Sequence, residues 1–576
     1  MVFSTKKAIL LPLALFGAMA HASGVTSEKE ESNNAKLMRK RTSNENKSAQ
    51  ATRTTGDIWD EVAAKAELEN EADSMYRDLQ RMSMVHGPST PTMPPVFMPT
   101  LSPVSCGGQS REDYLLAILS QITNVNILQN RLTPQGKAFE YMALFDEYLA
   151  DPCGDKNIAQ RYSLLTMYYS TKGDNWTNKA RWLTGEQECN WAGIDCVDNL
   201  VTNINLEINN LDGTIPEELE VLTRLSDLNL FANSLIGSIP TNIRYLTALE
   251  SIDLQENELS GEALPPQMWF LTNLKSYKVT GNSLSDPIPT QIGLLRSLEE
   301  LWISDNGIDG SIPTEIGNLR SLTTLALHEN EIKGTIPTEL ALIPFKELYL
   351  HSNFLSNTLP PSLFNVASLT EFRIDGNFFT GDLPANIGIL TNLIDFRVDN
   401  NNLDGTIPPQ LRELTNLQFL KLGDNFWTGR VPNIFGNYEA LEYFDLSGNE
   451  ALTGDIPESI FSVPTIRFVY MHECPNLGGT IPSSFQNAGE LRDLYLYSTN
   501  IGGTVPSISS GRLLELNEFL IQDTRITGSM PDSVCDLRTD GILDDLWSDC
   551  GGSSPEIRCD FPDCCNRCFE GTVATS

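Results

Sequence analysis

Residues Leu228-Asn-Leu230-Phe-Ala-Asn233-Ser-Leu235-Ile-Gly237-Ser-Ile239-Pro240 decide the fold. The same phrase, L-x-L-x-x-N-x-L-x-G-x-I-P, recurs in fourteen copies across residues 200–531. Its asparagine opens at Asn209 and returns at Asn233, Asn257, Asn282, Asn306, Asn330, Asn353, Asn377, Asn401, Asn425 and Asn449. Cys474, Thr499 and Thr524 take that slot in the last three copies. The steps run from 23 to 25 residues. Self-similarity at this period specifies a solenoid of stacked repeats.

Each position in the phrase has a physical reason. Leu228 and Leu230 are two apart, so a short strand sends both into the core. Asn229 and Phe231 then face out of a parallel sheet. A buried asparagine both donates and accepts, which suits the point where the strand turns. The glycine permits a turn that a Cβ obstructs. The Ile-Pro pair begins the outer return, where the missing N–H of proline does no harm. One repeat cannot bury its apolar face, so neighbours stack and both ends need caps.

The period and the G-x-I-P ending resemble the plant-type class of leucine-rich repeats. The stretch before them is similar to the N-terminal cap of that class. It has the run Arg161 to Trp176 with its Gly-Asp-Asn-Trp turn, then Trp182-Leu183, then Cys189-Asn-Trp191-Ala-Gly193-Ile-Asp-Cys196. Within it Ile158, Tyr162, Leu165 and Tyr169 fall on one helical face, expected to cover the first repeat. The resemblance spans roughly residues 110–531. It implies an α/β repeat solenoid, a horseshoe or superhelix with a parallel inner sheet and a helical cap. It also implies pairing of Cys189 with Cys196. Its relatives include receptor-kinase ectodomains, receptor-like proteins and inhibitors of microbial wall enzymes, so it implies a binding mode rather than one activity. No kinase domain is expected, because nothing after residue 531 is long enough to hold one.

The flanks set the expected compartment. Lys6 and Lys7 precede an apolar run from Ala8 to Ala20, and Ala20-His21-Ala22 offers a cleavage site. This is the pattern of a secretory signal peptide over residues 1–22. An uncleaved anchor is the alternative, on a run too short to span comfortably. No later stretch reaches the roughly 20 apolar residues of a spanning helix. Residues 23–105 are rich in Ser, Asn and charge, then in proline, and are expected to be disordered. Arg39-Lys40-Arg41 reads as a solvated charge cluster or a processing site. Leu115, Ile118, Leu119 and Ile122 resume helical spacing, so residues 106–199 form the helical cap.

Eleven cysteines agree with secretion. Cys535, Cys550, Cys559, Cys564, Cys565 and Cys568 crowd into residues 532–576 and are expected to form three disulfides that seal the end of the core. Their connectivity is open. A zinc site at Cys559, Cys564, Cys565 and Cys568 is the alternative. Cys106 and Cys153 can pair, and Cys474 reads as a buried free thiol. Asn175 and Asn46 sit in glycosylation acceptor patterns. The net charge of −35 disfavours nucleic acid and anionic membrane as partners.

The outward strand positions form columns across the inner face. Four residues before the slot, Arg373, Arg397 and Lys421 make a basic row on an acidic protein. Asp375 and Asp399 neighbour it on one side, Glu371 and Asp395 on the other. The row is a self-neutralising lattice of ion pairs or a stripe for an anionic ligand. Beyond it Tyr443, Phe468, Tyr470, Tyr495 and Tyr497 form an aromatic field, expected to be exposed and suited to a binding hot spot. His328 and His351 share a column and are expected to be a solvated surface pair, with metal binding or pH sensing as the alternative; His472 lies in the same column five repeats after His351. Trp302 and Tyr349 are expected to pack only locally.

No nucleophile motif, phosphate loop or metalloprotease helix is present, so neither catalysis nor a cofactor or metal is expected. The sequence predicts a secreted recognition protein that binds an extracellular protein, peptide or carbohydrate through its concave sheet. An extracellular-matrix or adhesive protein is the alternative.

Overall fold

The computed structural model describes residues 110–149, 157–539, 542–551, 556–559 and 564–569. The signal peptide, the segment 23–105, Asn46, Cys106 and Cys153 lie outside the described residues.

Four helices open the folded body: α1 (Arg111–Leu119), α2 (Val125–Leu128), α3 (Pro134–Leu144) and α4 (Ile158–Ser170). Ser110 caps α1 by accepting from the Asp113 N–H, and Thr133 caps α3 with Pro134 in its first turn. Helix α4 does not bury one face only. Tyr162, Leu164, Leu165, Met167 and Tyr168 are all buried, because α4 lies between the other helices and the first repeat. Gly213 of that repeat approaches α4 so closely that a Cβ there would stand 2.0 Å from the Ser170 carbonyl oxygen.

A charged group sits in the middle of this cap. Arg161 of α4 bonds Asp146 and Glu188, and donates to the backbone oxygens of Thr184 and Glu186. Its guanidinium lies 4.7 Å from the ring centres of both Tyr148 and Trp191. The cation therefore ties the helix to the loop closed by the Cys189–Cys196 disulfide.

The inner sheet has seventeen strands. Antiparallel β1 (Ile194–Val197) covers β2 (Leu200–Asn205). Parallel strands then follow once per repeat: β3 (Asp227–Asn229), β4 (Ser251–Asp253), β5 (Ser276–Lys278), β6 (Glu300–Trp302), β7 (Thr324–Ala326) and β8 (Glu347–Tyr349). After them come β9 (Glu371–Arg373), β10 (Asp395–Arg397), β11 (Phe419–Lys421), β12 (Tyr443–Asp445), β13 (Phe468–Tyr470), β14 (Asp493–Tyr495) and β15 (Glu518–Leu520). The strands are short because only the central residue points inward before the chain turns. Outside them run short 3-10 turns such as Thr241–Tyr245, each starting after the repeat proline.

The ladder asparagines hold adjacent repeats together. Asn257 donates to the backbone oxygens of Leu230, Leu254 and Gln255, and accepts from the Leu235 N–H. Two of those four groups belong to the preceding repeat. Thr499 donates to Leu496, and Thr524 donates to Ile521 and accepts from the Ile526 N–H, all within their own repeats. Cys474 is a buried free thiol whose Sγ donates to Leu446 of the repeat before it.

The sheet continues past residue 531 with β16 (Asp545–Ser548) and β17 (Arg567–Cys568), after helix α5 (Asp532–Thr539). Asp549, two residues after Trp547, takes over the ladder's role at this end by accepting from the Asp523 and Thr524 N–H groups. Disulfides join Cys535 to Cys564, Cys550 to Cys568 and Cys559 to Cys565. The zinc alternative is thereby overturned, since every proposed ligand sulfur is in a disulfide.

Candidate ligand-binding face

Three in-register rows face the concavity. The first residue of each three-residue strand makes one row, the third residue a second, and the residue two further on a third. Arg373 pairs in register with Arg397, Arg397 with Lys421, and Lys421 with Asp445. The columns read from the repeat period are therefore the columns of the structure.

The basic row is knitted into an ion-pair lattice. Arg373 lies 2.6 Å from Asp395 and 3.5 Å from Glu371, and Arg397 lies 2.9 Å from Asp395. The two guanidinium groups also cover the Tyr349 and Phe419 rings. Lys421 forms no ion pair among the described residues, and its Nζ sits 4.3 Å from the Tyr443 ring centre. Of the three cations, Lys421 is the one whose charge is not already matched at contact distance.

The third row is largely uncharged at neutral pH. His328 and His351 stack with ring centres 4.3 Å apart and planes 11° from parallel. Burial, with Arg373 second, lowers the His328 pKa to about 4. Burial, then His328, then the two arginines lower that of His351 to about 2. The expectation of a solvated surface pair is met only in part: His328 and His351 are half-buried, because neighbouring repeats shade the rings on a concave face, and a charged imidazole loses part of its water there. Parallel stacked rings also aim their lone pairs side by side rather than at one ion. Burial, then Asp399, pushes the Asp375 carboxyl well above the usual carboxylate range.

The aromatic field differs from expectation in the same way. Tyr470, Tyr495 and Tyr497 are 3%, 8% and 8% exposed, and they pack with Leu520 and Trp547 into a second apolar cluster. Tyr470 and Tyr495 lie 4.5 Å apart, and His472 stacks on Tyr497 at 4.4 Å. Aromatic side chains at strand spacing are wide enough to cover each other. Only Tyr443 and Phe468 keep partial exposure at the edge of the cluster. Trp302 and Tyr349 pack against each other at 5.9 Å across Ala326.

Sequence reasoning passed over the first row beyond Phe468. There Asp493, Glu518 and Asp545 stand in register on β14, β15 and β16. Burial, then Glu518, pushes the Asp493 carboxyl up to about 7. Burial also raises that of Glu518, whose Oε2 accepts from Tyr495. The signal was available, since the repeat frame places all but Asp545 in one column. Asn175, the glycosylation candidate, is exposed beside the cap. No described helix is long and apolar enough to cross a membrane.

The family described as Leucine Rich Repeat matches the sequence at residues 297–319. The crystal structure of a TDR receptor is 28% identical, with a TM-score of 0.55 over 57% of this chain and 57% of that one. The structure of PEPR1-AtPEP1 is 26% identical, with a TM-score of 0.53 over 67% of this chain and 61% of that one. In repeat pattern and fold the chain is similar to leucine-rich repeat proteins of the plant type. A leucine-rich repeat protein of Leptospira interrogans is 27% identical, with a TM-score of 0.50 over 62% of this chain and 89% of that one. This chain spans less than two thirds of the TDR and PEPR1 chains. No curated protein matches it in sequence.

Proposed function

We propose that this protein is an extracellular recognition protein that binds an extended peptide, protein or glycan ligand along its concave sheet, in a receptor-like or inhibitory role. It acts by binding rather than by catalysis. The observation that carries the reading is the continuous, in-register face on which charged, aromatic and hydrogen-bonding side chains succeed one another strand by strand. The likeness to a TDR receptor and to PEPR1-AtPEP1 supports it. The four disulfides among the described residues suit an oxidising, extracellular compartment. Within the face, Lys421, Tyr443 and Phe468 are the contact residues, with Arg373, Arg397, Asp375 and Asp399 shaping the floor and Tyr470, Tyr495 and Tyr497 backing it.

The full chain, made in a secretory host, is screened against extracellular peptides, glycans and proteins beside Lys421→Glu and Phe468→Ala. A ligand that binds the parent and weakens by about tenfold with either variant supports the reading. Undiminished binding in both removes the concave face as the site.

A further inference from the structure

The first row of the concave sheet changes character along its length. On the N-terminal side three of its acids have bases beside them in the second row: Glu300 lies 2.7 Å from Lys278, Glu371 lies 3.5 Å from Arg373, and Asp395 is shared by Arg373 and Arg397. On the C-terminal side the acids remain, and the second row holds no base between Lys421 and Arg567, whose guanidinium lies 4.3 Å from the Trp547 ring centre. Asp493, Glu518 and Asp545 follow one another at strand register, while the second row reads Tyr470, Tyr495, Leu520 and Trp547. Among the described residues none of these three acids forms an ion pair. Asp493 and Glu518 accept instead from the Tyr470 and Tyr495 hydroxyls, and Asp545 from the Asn566 amide. Immediately before them the same row offers Tyr443 and Phe468, both partly exposed.

We propose that the concave face from Phe468 to Asp545 docks the lysine or arginine side chains of an extended basic peptide segment. This rests on the concave-face reading above and names the charge of its ligand.

The lattice that the sheet completes for itself around Arg373 is left half-built here, and a cation from outside is its missing member. The aromatic side chains next to the acids suit the same guest, because a cation is drawn to a ring face and its alkyl stem to the ring edge. Trp547 adds a second need. It is 5% exposed, shares a strand and face with Asp545, carries Arg567 over its ring at 4.3 Å, and its indole Nε1 has no acceptor among the described residues. A peptide brings carbonyl acceptors as well as cations. A divalent metal is the poorer guest. Among the described residues the acids do not form a group of three converging ligand oxygens; the one such trio is Cys550, Cys559 and Cys565, all in disulfides. Separate carboxylates at strand spacing fit separate ammonium or guanidinium groups instead.

Docking of a cation favours the ionised carboxylates, so binding releases protons and tightens as pH rises. Facing Asp493 are Tyr470, Glu518 and Arg492, and facing Glu518 are Tyr495, Asp544 and Asp545. His472, in the third row, is already neutral throughout that range.

The probe is fluorescein-labelled hexalysine, followed by anisotropy on the full chain. Asp493→Asn, Glu518→Gln and Asp545→Asn combined are expected to weaken binding by about tenfold. Glu439→Gln, Glu458→Gln and Glu515→Gln, which remove equal charge from exposed positions elsewhere, are expected to cost about twofold or less. Equal losses in the two sets mean diffuse attraction to an acidic protein and overturn the proposal. If the concave triple variant unfolds, Glu518→Gln alone and the parent between pH 6 and pH 8 carry the test. Affinity that does not rise over that interval overturns it as well. A hexaglutamate arm separates the two readings. Hexaglutamate that binds and is released by Lys421→Glu, with hexalysine inert, keeps the concave face and removes the basic ligand. Neither peptide binding removes this proposal and leaves the concave reading to the wider screen.

Discussion

Arg161 and Asp146 meet at 2.5 Å with side chains 1% and 0% exposed. Such a pair holds only while both members are present, because either alone is an uncompensated buried charge. Arg161→Ala is expected to destabilise the N-terminal cap by about 3–5 kcal/mol. Trp176, Trp182 and Trp191 pack beside that cluster and report on it. In urea their fluorescence change is expected to precede unfolding of the distant repeats. A midpoint unchanged from the parent would show that the cation is not what holds the cap.

Asn401 donates to Ile374, Val398 and Asp399 and accepts from Phe379, so it serves two repeats. Asn401→Thr keeps a hydroxyl in the slot but loses the reach, as the native Thr499 shows. A cost of roughly 1–3 kcal/mol is expected from the unpaired backbone groups left behind. The converse change, Thr499→Asn, is expected to be neutral or stabilising. Denaturant melts of both variants decide it, and a Thr499→Asn penalty as large as that of Asn401→Thr contradicts this account of the ladder.

Burial pushes the Cys474 thiol up to about 12. Thiolate is the reactive form, so iodoacetamide at pH 8 is expected to leave native Cys474 unlabelled and to modify it after unfolding. Mass spectrometry of the peptide that contains it provides the check. Labelling in the native state would mean that the last repeats open readily.

His328, His351 and His472 are held neutral, with pKa values lowered to about 4, 2 and 3. An unfolded histidine titrates near pH 6.5. Below that value the unfolded chain binds more protons than the native one, so these residues withdraw stability as pH falls. Asp493, raised to about 7, acts oppositely: its contribution is present at low pH and is lost as pH rises through about 7. Replacing the three histidines with glutamine is therefore expected to flatten the loss of stability between pH 6.5 and pH 4. Melting temperatures across that interval, parent against variant, measure the difference, and parallel curves would refute it.

The period, the strand register and the ladder were legible because each repeats a local pattern many times. Arg373 and Arg397 can be placed side by side by counting residues. Counting cannot tell that Tyr470, Tyr495 and His472 are covered, because their burial comes from side chains one repeat away on a face that curves toward itself. Asp549 was missed for a different reason. It sits past the last copy of the repeat phrase, two residues after Trp547, where the repeat frame does not mark it. The acids at Asp493 and Glu518 were in the frame, but their meaning depends on which second-row bases are missing beside them.

Both outermost strands of the inner sheet carry a half-cystine: Cys196 in β1 and Cys568 in β17. An open sheet edge is a template on which other chains can add strands. Cys550, just past β16, ties β17 to its neighbouring strand, while Cys189 ties β1 to the turn that precedes it. Reduction is therefore expected to free β17 from β16 and offer a fresh edge at the C-terminal end, and light scattering with and without reductant measures the end-to-end association that follows.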